Sequence, residues 1–149
     1  MEIKIETATI KLLDKLCEIE EKCFDQEAFT KRQISYLLTD YNTIAVLARI
    51  ENDIAGFIIT QVEVEENTEF GHIITINVAP NYRRKGIATK LLHEIENLLK
   101  QKSINQCRLE VREDNKHAII LYKKLGYKNV GILENYYGKK HGLYLKKFL

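Results

Sequence analysis

The chain has 149 residues, 45% hydrophobic and 30% charged, and its 23 cations and 21 anions give a net charge of +2. This length predicts a single domain over residues 1–149, and the near balance of charge does not favour nucleic acid as a direct partner. The three cysteines show no C-x-x-C spacing, which argues against a zinc site or a disulfide framework, and we expect no bound metal. Without a membrane-length apolar run or a signal-peptide pattern, we expect a cytoplasmic protein with no membrane partner.

Hydrophobic periodicity predicts the element order β-α-α-β-β-β-α-β-α-β-β. This order indicates an α/β (α+β) chain with a mixed, mostly antiparallel, twisted sheet of about seven strands flanked by about four helices. The strands are predicted at residues 3–7, 43–50, 54–64, 71–78, 106–111, 127–133 and 143–148, and the helices at residues 10–24, 30–38, 87–100 and 115–125.

Local signals fix several helix ends. Thr30 and Gln33 have the spacing of a capping box, and Asn115 is a candidate N-cap. Gly126 follows the last helix at the position where a left-handed residue usually ends one. The fourth and fifth strands flank a helix, so a right-handed crossover should make them parallel.

One stretch between the fourth strand and the third helix predicts an anion site. Pro80 ends the strand, three cations follow at positions 83–85, and Gly86 opens the helical pattern. Free N–H groups and the positive dipole end at a helix N-terminus favour phosphate. An ordinary solvated basic turn would show the same pattern, so this stretch alone leaves both readings open.

Three segments together resemble the GNAT N-acetyltransferases. Residues 83–88 resemble the Q/R-x-x-G-x-G/A motif of that family, with Ala88 as the final small residue. Residues 109–115 are similar to its L-E-V-R-x-x-N segment, and residues 118–127 to its A-x-x-L-Y-x-x-L-G-F segment. The resemblance implies the GNAT fold, in which the fourth and fifth strands splay apart.

Within the family, the chain most resembles the RimI-like protein N-terminal acetyltransferases. Glu110, the pair Tyr136-Tyr137 and the stretch 23–30, similar to a C-F-x-x-x-x-W-S pattern, carry that likeness. The usual proline after Cys-Phe is replaced by Asp25, and a basic turn at residues 138–142 replaces an acidic one. The basic turn suggests a preference for acidic residues near the target amine.

The resemblance implies acetyl-CoA as the co-substrate. Its pyrophosphate would bind backbone N–H groups of the turn, and its pantetheine arm would pair with exposed strand backbone. Asn115 would contact the cofactor, although its capping role alone would also explain it. The implied cofactor residues are Ile76, Asn77, Val78, Arg83, Arg84, Lys85, Gly86, Ile87, Ala88, Thr89 and Asn115.

The resemblance also implies the catalytic pair. Glu110 matches the proton acceptor of the RimI-like pattern, and an outward-facing strand carboxylate is the alternative. Tyr122 matches the family's general acid, and a packed aromatic is the alternative. The peptide entry is assigned to Phe24, Phe29, Tyr136 and Tyr137, with strand-edge packing as the alternative for the tyrosines. His72 is expected to be structural.

The expected function is acetyl transfer to the N-terminal α-amine of a protein, such as a ribosomal protein, by direct attack on the thioester. The alternative acceptors are a lysine side chain or a small amine such as a polyamine, which the acidic cluster at positions 63, 65, 66 and 69 keeps open. A third alternative is a non-catalytic module that binds acetyl-CoA. A monomer or weak homodimer is expected.

Overall fold

The computed structural model describes residues 2–149, and it confirms the predicted element order. The strands are β1 Ile3–Thr7, β2 Thr43–Ile50, β3 Asp53–Glu65, β4 Thr68–Val78, β5 Gln106–Arg112, β6 Lys128–Tyr137 and β7 Lys140–Phe148. The helices are α1 Leu13–Phe24, α2 Lys31–Thr39, α3 Ile87–Gln101 and α4 Lys116–Lys124, with short 3-10 turns at Ile10–Leu12, Asp25–Glu27 and Pro80–Tyr82. None of the helices in the described part is long and apolar enough to cross a membrane.

The seven strands form one sheet in the order β1-β2-β3-β4-β5-β7-β6. Every neighbouring pair is antiparallel except β4 and β5, which are parallel as predicted. Alternate residues of the central strands face opposite sides, because side chains in a strand alternate. Val46 and Ile58 join α3 and α4 in one core, while Leu47 and Phe57 join α1 and α2 in the other.

Two hairpins are longer than the sequence pattern predicts. The acidic loop expected over residues 65–69 shrinks to a tight turn at Glu66 and Asn67, both with positive φ, because Glu65 pairs with Thr68. The β6–β7 hairpin likewise continues to the pair Tyr137 and Lys140. Hydrogen bonding between the two strands of each hairpin lengthens them, and a local sequence pattern does not predict such pairing. Tyr136 and Tyr137 therefore lie within β6 instead of in a loop.

The helix caps form as predicted. Thr30 Oγ1 accepts a hydrogen bond from the Gln33 backbone, and the Gln33 side chain accepts one from the Thr30 backbone. Asn115 Oδ1 accepts from the Ala118 backbone at 3.3 Å. Gly126 has φ +100° just after the end of α4, a conformation that favours glycine.

Strands β4 and β5 separate after a short contact. Their pairing begins at Gly71 and Cys107 and ends at Ile73 and Leu109, although β4 continues for five more residues to Val78. The splay implied by the resemblance is therefore present. It opens a gap in the middle of the sheet, and the candidate site lies there.

Candidate active site

A cavity of about 750 Å³ occupies the gap between the separating strands. It brings together predicted residues from four regions: the end of α1 with the loop that follows it, the open part of β4, β5 with α4, and the tip of β6. The predicted site residues in its wall are Phe24, Phe29, Ile76, Glu110, Asn115, Tyr122, Tyr136 and Tyr137. Asn77, Val78 and the basic turn at positions 83–89 are not part of this wall.

The free edge of β4 offers backbone groups at alternate residues. The Ala79 N–H donates to the Ala55 carbonyl on β3, so the backbone groups of Asn77, two residues earlier, also face β3. Those of Ile76 and Val78 face the gap instead. The backbone role expected for Asn77 therefore does not fit its orientation, because its groups already belong to the β3 ladder.

The carbonyl oxygen of Val78 already accepts hydrogen bonds from other residues of the protein. Cys23 Sγ lies 3.4 Å from this oxygen, and Arg83 Nε donates to it at 3.2 Å. Burial raises the pKa of the Cys23 thiol, which keeps it protonated as a weak donor. Arg83 is thus turned back toward β4, and its charge lies between the turn and the open strand edge.

The basic turn ends in a helix N-terminus with free donors. Gly86 is the N-cap of α3 with φ +77°, no side chain caps the helix within the described chain, and its first turn contains no acidic residue. The first N–H groups of such a helix have no intrahelical acceptor. Arg84 also has a positive φ, of 65°. This geometry offers Ile87, Ala88 and Thr89 N–H groups to an anion.

Glu110 is one end of a line of three titratable side chains. Its carboxylate oxygens lie 2.8 and 3.0 Å from His72 Nε2, and the other ring nitrogen of His72 lies 2.7 Å from Glu63 Oε2. The side chain of Glu110 is only 15% exposed, that of His72 20%, and that of Glu63 39%. The line thus runs from the cavity toward solvent. The sequence predicted a structural role for His72 and did not predict its contact with Glu110.

The surroundings of His72 favour its charged form. Burial by itself lowers the pKa of His72, but hydrogen bonds and charges from Glu110 and Glu63 outweigh it and raise the pKa above the ordinary value. An imidazolium donates from both nitrogens, one to each carboxylate. His72 therefore fixes the orientation of the Glu110 carboxylate at the cavity wall.

Tyr122 and Asn115 enter the cavity wall from opposite ends of α4. Tyr122 is 6% exposed, and burial raises its pKa well above the ordinary tyrosine value, so the phenol keeps its proton. Its ring packs edge-on against Tyr127, with centroids 5.9 Å apart. Asn115 caps the helix and lines the cavity at once.

Two aromatic pairs line the cavity. Tyr136 and Tyr137 contact each other edge-on at the tip of β6, with centroids 4.9 Å apart. Phe24, the last residue of α1, and Phe29, just before α2, line the same cavity. The four side chains give the cavity an aromatic lining from two separate parts of the chain.

An ion-pair network joins the end of β5 to the loop between α1 and α2. Arg112 donates to Glu27 Oε1 at 2.7 Å and to both carboxylate oxygens of Asp114, at 2.7 and 2.9 Å. Arg112 lowers the pKa of Asp114 to about 2. Two of the acidic groups in the cavity wall are thus neutralised by the protein itself.

Glu20 is a buried carboxylate that the sequence reasoning missed. It is 1% exposed, and it accepts hydrogen bonds from Thr75 Oγ1, Asn77 Nδ2 and the Phe29 backbone. Burial raises its pKa, and its hydrogen bonds oppose that effect. The signal was available, because Glu20 lies on the same stripe of α1 as the apolar residues Leu16 and Cys23.

Comparison with known proteins gives one family. The model of the acetyltransferase (GNAT) family matches residues 11–127. An N-alpha-acetyltransferase of Saccharolobus solfataricus is 33% identical over 117 residues, which cover 72% of this chain and 70% of that protein.

Solved structures show the same fold. The ribosomal-protein-S18-alanine N-acetyltransferase from Escherichia coli aligns with a TM-score of 0.89 at 22% identity, over 99% of this chain and 94% of that one. A chain of the NatC complex bound to Gag peptide and CoA aligns with a TM-score of 0.90 at 20% identity, over 100% and 99% of the two chains. At 22% and 20% identity, these two similarities show a shared fold and nothing further.

Proposed function

The chain belongs to the acetyltransferase (GNAT) family and transfers acetyl groups from acetyl-CoA to an amine; on this premise we propose that its acceptor is the N-terminal α-amine of a protein. The observation that carries the proposal is the lining of the cavity. Glu110 and Tyr122 lie in its wall together with aromatic side chains from the end of α1, the loop that follows it and β6. Such a cavity suits the extended end of a polypeptide.

The residues around the gap fit acetyl-CoA. The uncapped N-terminus of α3 offers donors for the pyrophosphate, and Arg84 and Lys85 add positive charge there. The gap-facing backbone of Ile76 and the gap-facing N–H of Val78 suit the amide groups of the pantetheine arm. Acetyl-CoA supplies an activated thioester carbonyl and a thiolate leaving group.

The proposed acceptor needs only a modest base. A free α-amine has a pKa of about 7.7–8.0, and a lysine side chain about 10.4. At pH 7, forming the neutral amine costs about 1 kcal/mol for the α-amine and about 4–5 kcal/mol for lysine. A carboxylate that acts directly or through one water is adequate for the smaller cost.

We assign that role to Glu110. Its carboxylate is held by His72 and lies in the cavity wall, where it can accept the proton that the acceptor ammonium loses. Tyr122 stays protonated and can donate to the sulfur that departs. The two groups come from β5 and α4, so they approach the reacting centre from different elements.

The polyamine alternative loses most of its support. It relied on the acidic cluster of the β3–β4 hairpin, but Glu63 binds His72 and Glu65 binds Arg108 at 3.1 Å. A small polycation would have to compete with these internal partners. The remaining lysine alternative is separated from the proposal by the experiment below.

The identity of the protein acceptor is a finer proposal. A ribosomal protein is the first candidate, because the Escherichia coli enzyme with this fold is named for ribosomal protein S18. Lys139 is exposed in the turn between β6 and β7, and Lys140 lies 4.0 Å from Asp114, which is part of the cavity wall. These charges favour an acceptor with acidic residues close to its N-terminus. We propose that the enzyme acts in the cytoplasm.

The test is acetylation of a peptide library, read by mass spectrometry. Each peptide is offered with a free α-amine and a blocked lysine, and also with the reverse arrangement. We expect acetyl groups on the α-amine, and faster reaction when positions 2 and 3 are acidic. Acetylation confined to lysine would refute the proposed acceptor, and equal rates for acidic and basic peptides would refute the proposed preference.

A further inference from the structure

Glu20 joins two parts of the site that the sheet does not connect. One carboxylate oxygen accepts from Thr75 at 2.8 Å and from Asn77 at 3.0 Å, both on the open part of β4. The other oxygen accepts from the Phe29 backbone at 3.1 Å. Phe29 belongs to the acceptor loop, which we define as residues 24–30. A single side chain thus holds the loop against the strand.

The carboxylate has only neutral partners. No ion pair to Glu20 forms among residues 2–149, although the side chain is almost completely buried. A buried carboxylate without a cation is costly unless hydrogen bonds satisfy it. The three donors meet that need, so the arrangement depends on the loop and the strand staying in contact.

The two parts differ in how firmly they are otherwise held. Strand β4 pairs with β3 from Thr68 to Val78, with one register shift at Ile74. The acceptor loop contains only a short 3-10 turn before the cap of α2. The ion pair between Arg112 and Glu27 still holds the middle of the loop. Loss of Glu20 should therefore free the loop at Phe29 and leave the strand in place.

We propose that Glu20 is a positioning residue that fixes the acceptor loop for the incoming amine, and that it acts through its hydrogen bonds instead of its charge. The inference rests on the proposed function, because the loop matters only if the acceptor enters beside it. Glu20 touches neither reacting group in this account.

A glutamine can replace the three bonds. Its Oε1 can accept from the Phe29 N–H, and its amide nitrogen can donate to Thr75 Oγ1. The same nitrogen can donate to Asn77 Oδ1 if the Asn77 side-chain amide flips, which exchanges the positions of Oδ1 and Nδ2. Asn77 Oδ1 is buried and has no hydrogen-bond partner among residues 2–149. The site therefore already contains the acceptor that a glutamine needs.

The test compares Glu20→Ala and Glu20→Gln, with Glu21→Ala as the exposed control on the same helix. We expect Glu20→Ala to raise the KM for the acceptor peptide about 10- to 100-fold, the cost of leaving the donor that ties the loop, the Phe29 N–H, without its acceptor. Its acetyl-CoA KM should stay within about threefold, because β4 keeps its β3 ladder. Glu20→Gln and Glu21→Ala should both resemble the wild type.

Amide hydrogen exchange at Phe29 gives a readout that needs no acceptor. Exchange should be slow in the wild type and in Glu20→Gln, and about tenfold faster or more in Glu20→Ala. If Glu20→Ala does not fold, Thr75→Val removes one of the three bonds, and a several-fold higher acceptor KM is expected.

Two results would overturn the inference. One is an acceptor KM that Glu20→Ala leaves unchanged, together with unchanged exchange at Phe29. The other is a Glu20→Gln variant that loses kcat at unchanged KM, which would place Glu20 in the proton transfer itself. Lysine-only acetylation by the wild type would refute the proposed function, yet the exchange measurement would still decide the role of Glu20.

Discussion

Gly56 on β3 lies close to the backbone of β4, the strand that we propose binds the cofactor. A Cβ added there would lie 2.4 Å from the carbonyl oxygen of Asn77 and 3.3 Å from the Cα of Val78. The first distance is about 0.6 Å short of the 3.0 Å that real contacts of this kind need. Both neighbours are backbone atoms, so no side-chain rotation relieves the clash. Gly56→Ala must therefore push β4 away from β3 beside the gap.

The displacement has two expected costs. Overpacking of this kind destabilises a protein by about 1–3 kcal/mol, which lowers Tm by roughly 2–12 °C at this size. The shifted Ile76 and Val78 backbone should also raise the acetyl-CoA KM by roughly 2- to 10-fold for each hydrogen bond lost to the pantetheine arm. Thermal unfolding and initial rates at varied acetyl-CoA, followed by thiol release, measure the two effects.

Gly71→Ala on the neighbouring strand β4 is the matched control. Its added Cβ would lie 2.5 Å from Leu99 Cδ1, a side-chain atom of α3 on the helix side of the sheet. We expect a loss of stability with little change in the acetyl-CoA KM. If Gly56→Ala also left that KM unchanged at a comparable loss of Tm, the β4 backbone would not be part of the cofactor site.

Other predictions address the remaining groups. Glu110→Gln should lower kcat about 10²- to 10⁴-fold with little change in the acetyl-CoA KM, and unchanged turnover in steady-state kinetics would remove Glu110 from the mechanism. Gly86→Glu should abolish acetyl-CoA binding in calorimetry, because φ +77° disfavours any side chain and a carboxylate repels the phosphates, whereas Lys139→Glu should spare it and change only peptide preference. The raised pKa of His72 means that its ion pairs stabilise the fold fully below about pH 6.5 and lose this effect as pH rises through the folded-state pKa. His72→Gln should therefore cost most unfolding free energy in acidic buffer, and a cost that grows with pH would contradict the assignment.

The sequence by itself determined the order of the elements and the turn before α3. Both depend on signals within a few residues of each other: apolar periodicity, the Thr30 and Gln33 capping box, the Asn115 cap and the cations before Gly86. Local backbone preference and side-chain spacing decide such features, so they can be read without a partner. The three segments that resemble the GNAT family added acetyl-CoA as the expected ligand.

The tertiary structure alone decided how the side chains meet. His72 contacts Glu110 across 38 positions of the chain, and Glu20 contacts Thr75 and Asn77 across 55 and 57. Strand register sets such contacts, and a shift of one residue would turn each side chain to the other face of the sheet. For the same reason the backbone of Asn77 faces β3, although its neighbours Ile76 and Val78 face the gap. Register across the sheet is a property of the paired strands, and no local pattern contains it.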